Sequence, residues 1–291
     1  MLPNPQADRH ATATLQGDLI SRGVLPIRSR LIPLSGGRTN RLWRVETVSG
    51  TLVVKLYTDR GDNPLFGNDP GAEARVLSHL AETGLAPQPE AAVTTPLGPV
   101  LIYRYVAGTT WRHDPVPVAE TLARLHALPP PTGLPTAPDG SAALARQTDD
   151  ILARCPADAA KNLRRHAPRG VVPPSGLTAL LHGDVVPGNL VCGPAGVTLI
   201  DWQCPARGDP VHDLAVFLSP AMQQAYRGAP LTRAETERFL DAYGAPATVA
   251  RYRSLASWFH WRMAAYCLWR SIRGSIDDHT EFDLELACLV G

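Results

Sequence analysis

Leu181-His182-Gly183-Asp184-Val185-Val186-Pro187-Gly188-Asn189-Leu190, with Val197-Thr198-Leu199-Ile200-Asp201 a few residues on, is the stretch on which the reading of this chain turns. Apolar runs, Ala179-Leu180-Leu181 and Leu190-Val191, flank a polar loop, and a β-rich run over 197–200 delivers Asp201. A strand, a loop and a strand thus bring three oxygen-bearing groups to one edge. Transfer of a γ-phosphoryl group asks little covalent work of a protein, but it needs a carboxylate near the acceptor hydroxyl and Mg²⁺ against the phosphate oxygens. Asp184 suits the first task. Mg²⁺ takes oxygen ligands and keeps several waters, so the amide of Asn189 and the carboxylate of Asp201 suffice beside the phosphates themselves. An Asp turn and an αL Asn would look the same in isolation; the second carboxylate at the end of a strand sets this stretch apart.

Working outward, the chain holds the upstream groups that such chemistry requires. Pro33-Leu34-Ser35-Gly36-Gly37-Arg38-Thr39-Asn40 precedes two β-rich runs, 41–48 and 51–57, joined by Ser49-Gly50. Alternation in the first run and the tight turn predict an antiparallel meander. Gly36 and Gly37 allow backbone amides to approach phosphate oxygens closely, since no Cβ intervenes; a plain hairpin turn also uses glycines. Lys55 ends a Val-Val-Lys run, where a charge must snorkel to solvent or meet an anion. Pro70-Gly71 opens a helical pattern in which Glu73 borders the apolar positions Val76, Leu77 and Leu80. A carboxylate there can pair with the Lys55 ammonium or complement the helix dipole.

These segments, together with Gly208-Asp209-Pro210-Val211-His212-Asp213-Leu214-Ala215, resemble the aminoglycoside phosphotransferase and choline kinase superfamily over about residues 25 to 290. The glycine turn and the Asp184 loop look most like the thiamine and choline kinase branch; Trp202-Gln203 departs from the aromatic-then-Glu pattern usual in choline kinases. The resemblance implies an α+β, bilobal protein-kinase-like fold. A small antiparallel-sheet N-lobe with one main helix would span 1–106, and a larger, mostly helical C-lobe 107–291. It implies Asp184 as catalytic base, Asn189 and Asp201 on Mg²⁺, Lys55 on the phosphates of ATP and Glu73 paired with Lys55. Thr39 and Asn40 complete the glycine turn, and residues 103–106, with Tyr103 and Tyr105, would lie beside the adenine near a hinge at 107–110. Asp213 would hold the backbone of 182–184, and His126, in Leu-Ala-Arg-Leu-His, would pack between elements.

Composition sets bounds. The 291 residues, 44% of them hydrophobic, can bury a sizeable core in two lobes. Twenty-eight Lys and Arg balance 27 Asp and Glu, which predicts neither a nucleic-acid groove nor a polybasic membrane patch. Five cysteines without Cys-x-x-Cys spacing indicate no disulfide framework or zinc site, and no run reaches ~18 apolar residues; a soluble cytoplasmic chain is expected. The first ten residues read as a loose tail, 11–21 as a helix and 58–70 as a mobile loop. Helices are predicted at 118–128, 142–154, 158–166 and over most of 231–289.

The expected acceptor is a small molecule with a hydroxyl group, and its identity must come from the last hundred residues. Trp258, Trp261, Tyr266 and Trp269 share one long helical stretch. They read either as core or as an aromatic cage for a quaternary ammonium, a thiazole or a pyrimidine. Asp277, Asp278, Glu281, Asp283 and Glu285 read as a solvated helix end or as an attraction for a polycationic aminoglycoside. An unspecified hydroxyl metabolite, a thiamine- or choline-like alcohol, an aminoglycoside, and a nucleotide-binding pseudokinase acting as an interaction module are the readings carried forward.

Overall fold

The computed structural model describes residues 5–34, 39–58, 62–274 and 278–290. The chain forms two compact units, Met1–Asp62 with Asn68–Ala107, and Asn63–Gly67 with Gly108–Gly291. In the first, helix α1 (Pro5–Ser21) precedes strands β1 (Ile32–Pro33), β2 (Arg41–Thr47) and β3 (Gly50–Leu56), and helix α2 (Pro70–Leu80) precedes β4 (Pro89–Thr95) and β5 (Gly98–Arg104). They build a five-stranded sheet in the order β1-β2-β3-β5-β4, antiparallel at every pairing.

Register decides what each face carries. Lys55 lies opposite Leu42 on one side and Leu101 on the other, so these three share a face, while Trp43, Val54 and Ile102 share the reverse. On that reverse face Leu15 and Leu19, one turn apart on α1, close a core with Trp43, Val45, Val54 and Ile102. This docking corrects the expected N-terminal tail. The chain is helical from Pro5, because most of a helix's stability comes from tertiary packing of its apolar face. The helix stops at Gly23, whose φ of 69° is the left-handed conformation favoured at a helix C-terminus.

In the second unit β6 (Thr109–Thr110), α3 (Val116–His126), α4 (Ser141–Leu152) and α5 (Ala157–Arg164) precede β7 (Ala179–Leu181), a 3-10 turn (Pro187–Asn189), β8 (Leu190–Gly193), β9 (Gly196–Leu199) and β10 (Ala206–Gly208). Helices α6 (Val211–Leu218), α7 (Pro220–Arg227), α8 (Arg233–Tyr243), α9 (Pro246–Ser271) and α10 (Asp278–Val290) follow. Two small sheets, β6-β8-β9 and β10-β7, sit among them. Thr109 pairs with Cys192, so part of the expected hinge is a strand. The stretch 58–70 is likewise built in: beyond 59–61, which lie outside the described residues, Asn63–Gly67 joins the second unit and Phe66 is buried there.

Helix α9 packs against α4 and α10. Trp258 and Trp261 are buried in it, and the Trp261 indole N–H donates to the Leu163 carbonyl at 3.0 Å, which makes both core residues. Two carboxylates of α10, Glu281 and Glu285, depart from the reading of a solvated helix end. Glu281 is buried against Arg270 at 3.2 Å. Glu285 is fully buried and accepts from the Ser219 hydroxyl, from Ala221 N at 3.2 Å and from His260 Nδ1 at 2.6 Å. Asp283 is exposed, whereas Asp277 lies outside the described residues. An i, i+4 spacing puts Glu281 and Glu285 on the inward stripe of α10, where a carboxylate persists only with partners. Among the described residues no helix is long and apolar enough to cross a membrane.

Glu285 predicts a measurable contrast. Glu285→Ala leaves His260 and the start of α7 without their buried partner and is expected to lower stability by about 3 kcal/mol, while Asp283→Ala stays within about 0.5 kcal/mol of the parent. Urea unfolding of the two variants checks this.

Candidate active site

The first unit holds a buried cation. Lys55, held on β3 among apolar neighbours, and Glu73, in the first turn of α2, are each 1% exposed and meet at 2.6 Å. Desolvating both charges is costly unless geometry and further hydrogen bonds repay it, and Tyr57 supplies one: its hydroxyl donates to the same Glu73 oxygen as Lys55. Burial first, and then the Glu73 charge, push the Tyr57 hydroxyl far up, so it remains a donor. No motif in the sequence singles out Tyr57, although its position two residues beyond Lys55 puts it on the same strand face.

Leu34 N donates to Leu42 O at 2.9 Å, closing the base of the glycine turn, while Gly36 and Gly37 lie outside the described residues. Thr39 offers its carbonyl to the Thr58 hydroxyl at 3.2 Å. Asn40 and Asn68 exchange reciprocal amide hydrogen bonds of 2.8 and 2.9 Å; Asn68 directly precedes Asp69, the N-cap of α2. The turn is thereby tied to the helix that bears Glu73. Tyr103, opposite Val53, stands on the Lys55 face and is buried; Tyr105 is exposed, with the Arg44 guanidinium 5.5 Å from its ring centroid.

In the second unit the β8–β9 hairpin pairs Leu190 with Leu199, and Ile200 N donates to Asn189 O at 2.9 Å. Asn189 and Asp201 therefore sit at the open end of one hairpin. The Asn189 amide nitrogen donates to Asp184 twice, to its carbonyl at 2.9 Å and to its carboxylate at 3.1 Å, which turns the amide oxygen away from Asp184. Asp201 has φ of 63°, a left-handed conformation that Asp tolerates better than most residues. Gly183, at φ 82°, has no room for a side chain: a Cβ would collide with the Cys204 carbonyl oxygen. The His182 ring faces Ile200 O with Nε2 at 3.0 Å and Asp184 N with Nδ1 at 3.2 Å. A nitrogen facing a carbonyl must carry the proton, so Nε2 donates and Nδ1 accepts. Trp202, fully buried, packs at 4.4 Å from that ring and anchors its indole on Leu199 O at 2.8 Å.

Beneath the loop lies Asp213, at 0% exposure. Its two oxygens accept from His182 N and Gly183 N at 2.8 Å each, and one of them also receives His126 Nε2 at 3.1 Å. Burial alone would raise its pKa; the hydrogen bond from His126 and the backbone N–H of His182 outweigh it and hold the carboxyl below the usual range. Tyr243 lies 2.9 Å from His126 Nδ1, and burial with the charges of Asp213 and Asp209 pushes its hydroxyl pKa up, so the phenol donates. His126 thus does more than pack: it connects α3 and α8 to the loop through Asp213, an arrangement no local pattern announces. Asp209 accepts from Val211 N at 3.2 Å while pairing with Arg251; helix α6 begins at Val211, with Pro210 at its cap. His212 donates from Nε2 to Pro138 O at 2.6 Å. Burial, then the Arg262 charge, lower its pKa to about 4.

An amide oxygen and a carboxylate at one hairpin end form a hard-oxygen donor set that fits Mg²⁺. Among the described residues no group of three or more His, Cys, Asp or Glu is gathered as a metal cage.

Residues 30–258 match the phosphotransferase enzyme family, and the chain belongs to that family. Its fold is kinase-like, as comparison with solved structures shows. A choline/ethanolamine kinase family protein from Mesorhizobium loti aligns with a TM-score of 0.63 at 18% identity, covering 95% of this chain and 93% of the other. A choline kinase from Cryptosporidium parvum Iowa II gives 0.64 at 14%, covering 95% and 94%. The aminoglycoside phosphotransferase APH(4)-Ia gives 0.64 at 16%, covering 95% and 98%; a thermostable mutant of it is known in a ternary complex with ADP and hygromycin B. No curated protein sequence matches the chain.

Two measurements follow from this geometry. Asp213→Asn replaces one accepting oxygen by an NH2 that faces a backbone N–H donor to donor, and the resulting displacement of the loop is expected to cut phosphoryl-transfer kcat about a hundredfold; steady-state kinetics on a variant of native-like Tm checks this. For His212 the unfolded chain takes up a proton below about pH 6.5, whereas the native ring stays neutral until about pH 4. Stability attributable to this group is therefore present above pH 6.5 and falls by about 1.4 kcal/mol per pH unit towards pH 4. Urea unfolding from pH 7 to 5 should show a shallower loss for His212→Gln.

Proposed function

We propose that the protein is a small-molecule kinase that transfers the γ-phosphoryl group of ATP to a hydroxyl of a metabolite. The observation that carries this reading is the Asn189 amide, whose nitrogen is spent on Asp184 at 2.9 and 3.1 Å and whose oxygen is thereby left towards a cation. In the proposed reaction the acceptor oxygen attacks the γ-phosphorus as the bond from that phosphorus to the ADP oxygen breaks. The acceptor proton passes to the Asp184 carboxylate, and ADP leaves with the broken bond's electron pair. Lys55, oriented by Glu73 and Tyr57, binds the α and β phosphates. Gly36, Gly37, Thr39 and Asn40 border them, and residues 103–106, including Tyr103 and Tyr105, flank the adenine. Asn189 and Asp201 are the residues that would hold Mg²⁺, which supplies neutralisation of phosphate charge when bound. The N-lobe role belongs to residues 1–106 and the acceptor role to 107–291. ADP in the ternary complex of the APH(4)-Ia mutant supports the nucleotide assignment by analogy of fold.

A thiamine- or choline-like alcohol and an aminoglycoside are the acceptor classes that the family suggests. A pseudokinase serving as an interaction module is the competing class; the presence of Lys55, Asp184, Asn189 and Asp201 together favours the enzyme. Asp184→Asn is expected to lower turnover about a thousandfold while ATP affinity changes only a few-fold. Wild-type turnover in that variant, measured by ³¹P NMR of phosphoryl transfer, would remove Asp184 as the base.

A further inference from the structure

Two glycines of the Asp184 loop lack side chains for different reasons. Gly183 adopts a left-handed φ of 82°, a conformation that by itself favours glycine. Gly188 lies in the 3-10 turn Pro187–Asn189 and is not among the positive-φ glycines, so its backbone would accept an L side chain. What leaves no room there is a ring from α7. A Cβ at position 188 would stand 2.7 Å from Tyr226 Cδ1, 3.1 Å from Cε1 and 3.8 Å from Cγ. Carbon atoms pack best at about 3.5–4.0 Å, so one edge of the Tyr226 ring stands where a side chain on the turn would be.

The end of α7 that carries this ring is itself fixed. Gly228, at φ 90°, closes the helix by donating its N–H to Gln224 O at 3.0 Å. Arg112 donates to Arg227 O at 3.3 Å and to Tyr226 O at 3.5 Å, and Arg227 in turn holds Pro230 O at 2.7 Å and Glu235 at 3.0 Å. Arg112 follows Trp111, whose N–H extends the β6–β8 ladder to Leu190 O at 2.9 Å. One strand extension thus ties down both the end of α7 and the residue after Asn189. Within the turn, Asn189 N donates to Val186 O at 2.9 Å, and its side chain donates to Asp184. Asp213 secures the loop at His182 and Gly183; the Tyr226 ring bears on it five residues further along, directly before Asn189.

We propose that Tyr226 is a positioning residue: its ring, seated against the bare Cα of Gly188, fixes the 3-10 turn and thereby the Asn189 amide as a ligand for Mg²⁺. This rests on the kinase reading above. Groups that orient a metal ligand act on metal affinity, so the test reads the metal without turnover, by calorimetric titration of AMP-PNP at a series of Mg²⁺ concentrations. Gly188→Ala and Tyr226→Ala are each expected to raise the Mg²⁺ concentration that half-maximally enhances AMP-PNP binding about tenfold. Binding in EDTA should stay unchanged, and Tyr226, half-buried at a helix end, can be truncated with a native-like Tm. Tyr226→Phe keeps the ring and should match the wild type. In the double variant Gly188→Ala/Tyr226→Ala the added methyl meets no ring, so its Mg²⁺ dependence should equal that of Tyr226→Ala alone; losses that multiply would mean independent effects and overturn the contact. Wild-type Mg²⁺ dependence in Tyr226→Ala overturns the positioning role, and Tyr226→Phe as impaired as Tyr226→Ala moves the effect to the hydroxyl and overturns it too. Wild-type binding of AMP-PNP that Mg²⁺ does not enhance overturns Asn189 as a metal ligand and this inference with it. Absence of AMP-PNP binding to the wild type at every Mg²⁺ concentration overturns the kinase reading itself.

Discussion

The buried carboxylate of Asp213 holds two successive backbone N–H groups, those of His182 and Gly183, at 2.8 Å each, and the geometry of the loop depends on it. A loop that turns through a left-handed glycine leaves its amides outside any regular ladder, and buried amides must find acceptors. Asp213 supplies both from the first turn of α6. The backbone on either side then follows: His182 bridges Ile200 O to Asp184 N, and Asn189 closes on Asp184. His126 and Tyr243 support Asp213 from two other helices. Three elements distant in sequence thus converge on one carboxylate, which stays ionised because its hydrogen bonds outweigh its desolvation.

The first unit solves a related problem with opposite charge. Lys55 is buried for the same reason that its strand is β-forming, since every neighbour is apolar, and its ammonium is tolerable only beside Glu73 and Tyr57. The Asn40–Asn68 amide pair ties the end of the glycine turn to the start of α2. The helix that carries the carboxylate and the turn that precedes the lysine strand are therefore mechanically linked.

Helices α9 and α10 show how far side-chain type can mislead without spatial context. Three tryptophans and a tyrosine on one helix read either as core or as cage. Burial assigns Trp258 and Trp261 to the core, while Tyr266 and Trp269 carry arginines on their faces. The acidic stretch of α10 looks solvated in sequence, yet Glu281 and Glu285 are buried among partners from α7 and α9. The partners of Glu285 lie 25 to 66 residues away, beyond the range of any periodicity.

By itself the sequence determined the fold class and the family, because both depend on local signals. The strand-loop-strand pattern around Asp184, the meander ending at Lys55 and the helical period after Pro70 are set by spacing and residue type within a few turns of chain. The candidate loop residues were legible for the same reason, since Asp184, Asn189 and Asp201 are joined by a single hairpin. Tertiary structure alone decided which groups hold them: Tyr57 on Glu73, His126 and Tyr243 on Asp213, Trp202 against His182, and the docking of α1 that turned an expected tail into a helix. These are contacts between side chains remote in sequence, and their energy arises from burial that exists only once the chain has packed. Spacing can nominate a carboxylate for a site, but whether water, a backbone amide or an arginine meets it depends on the elements that close around it.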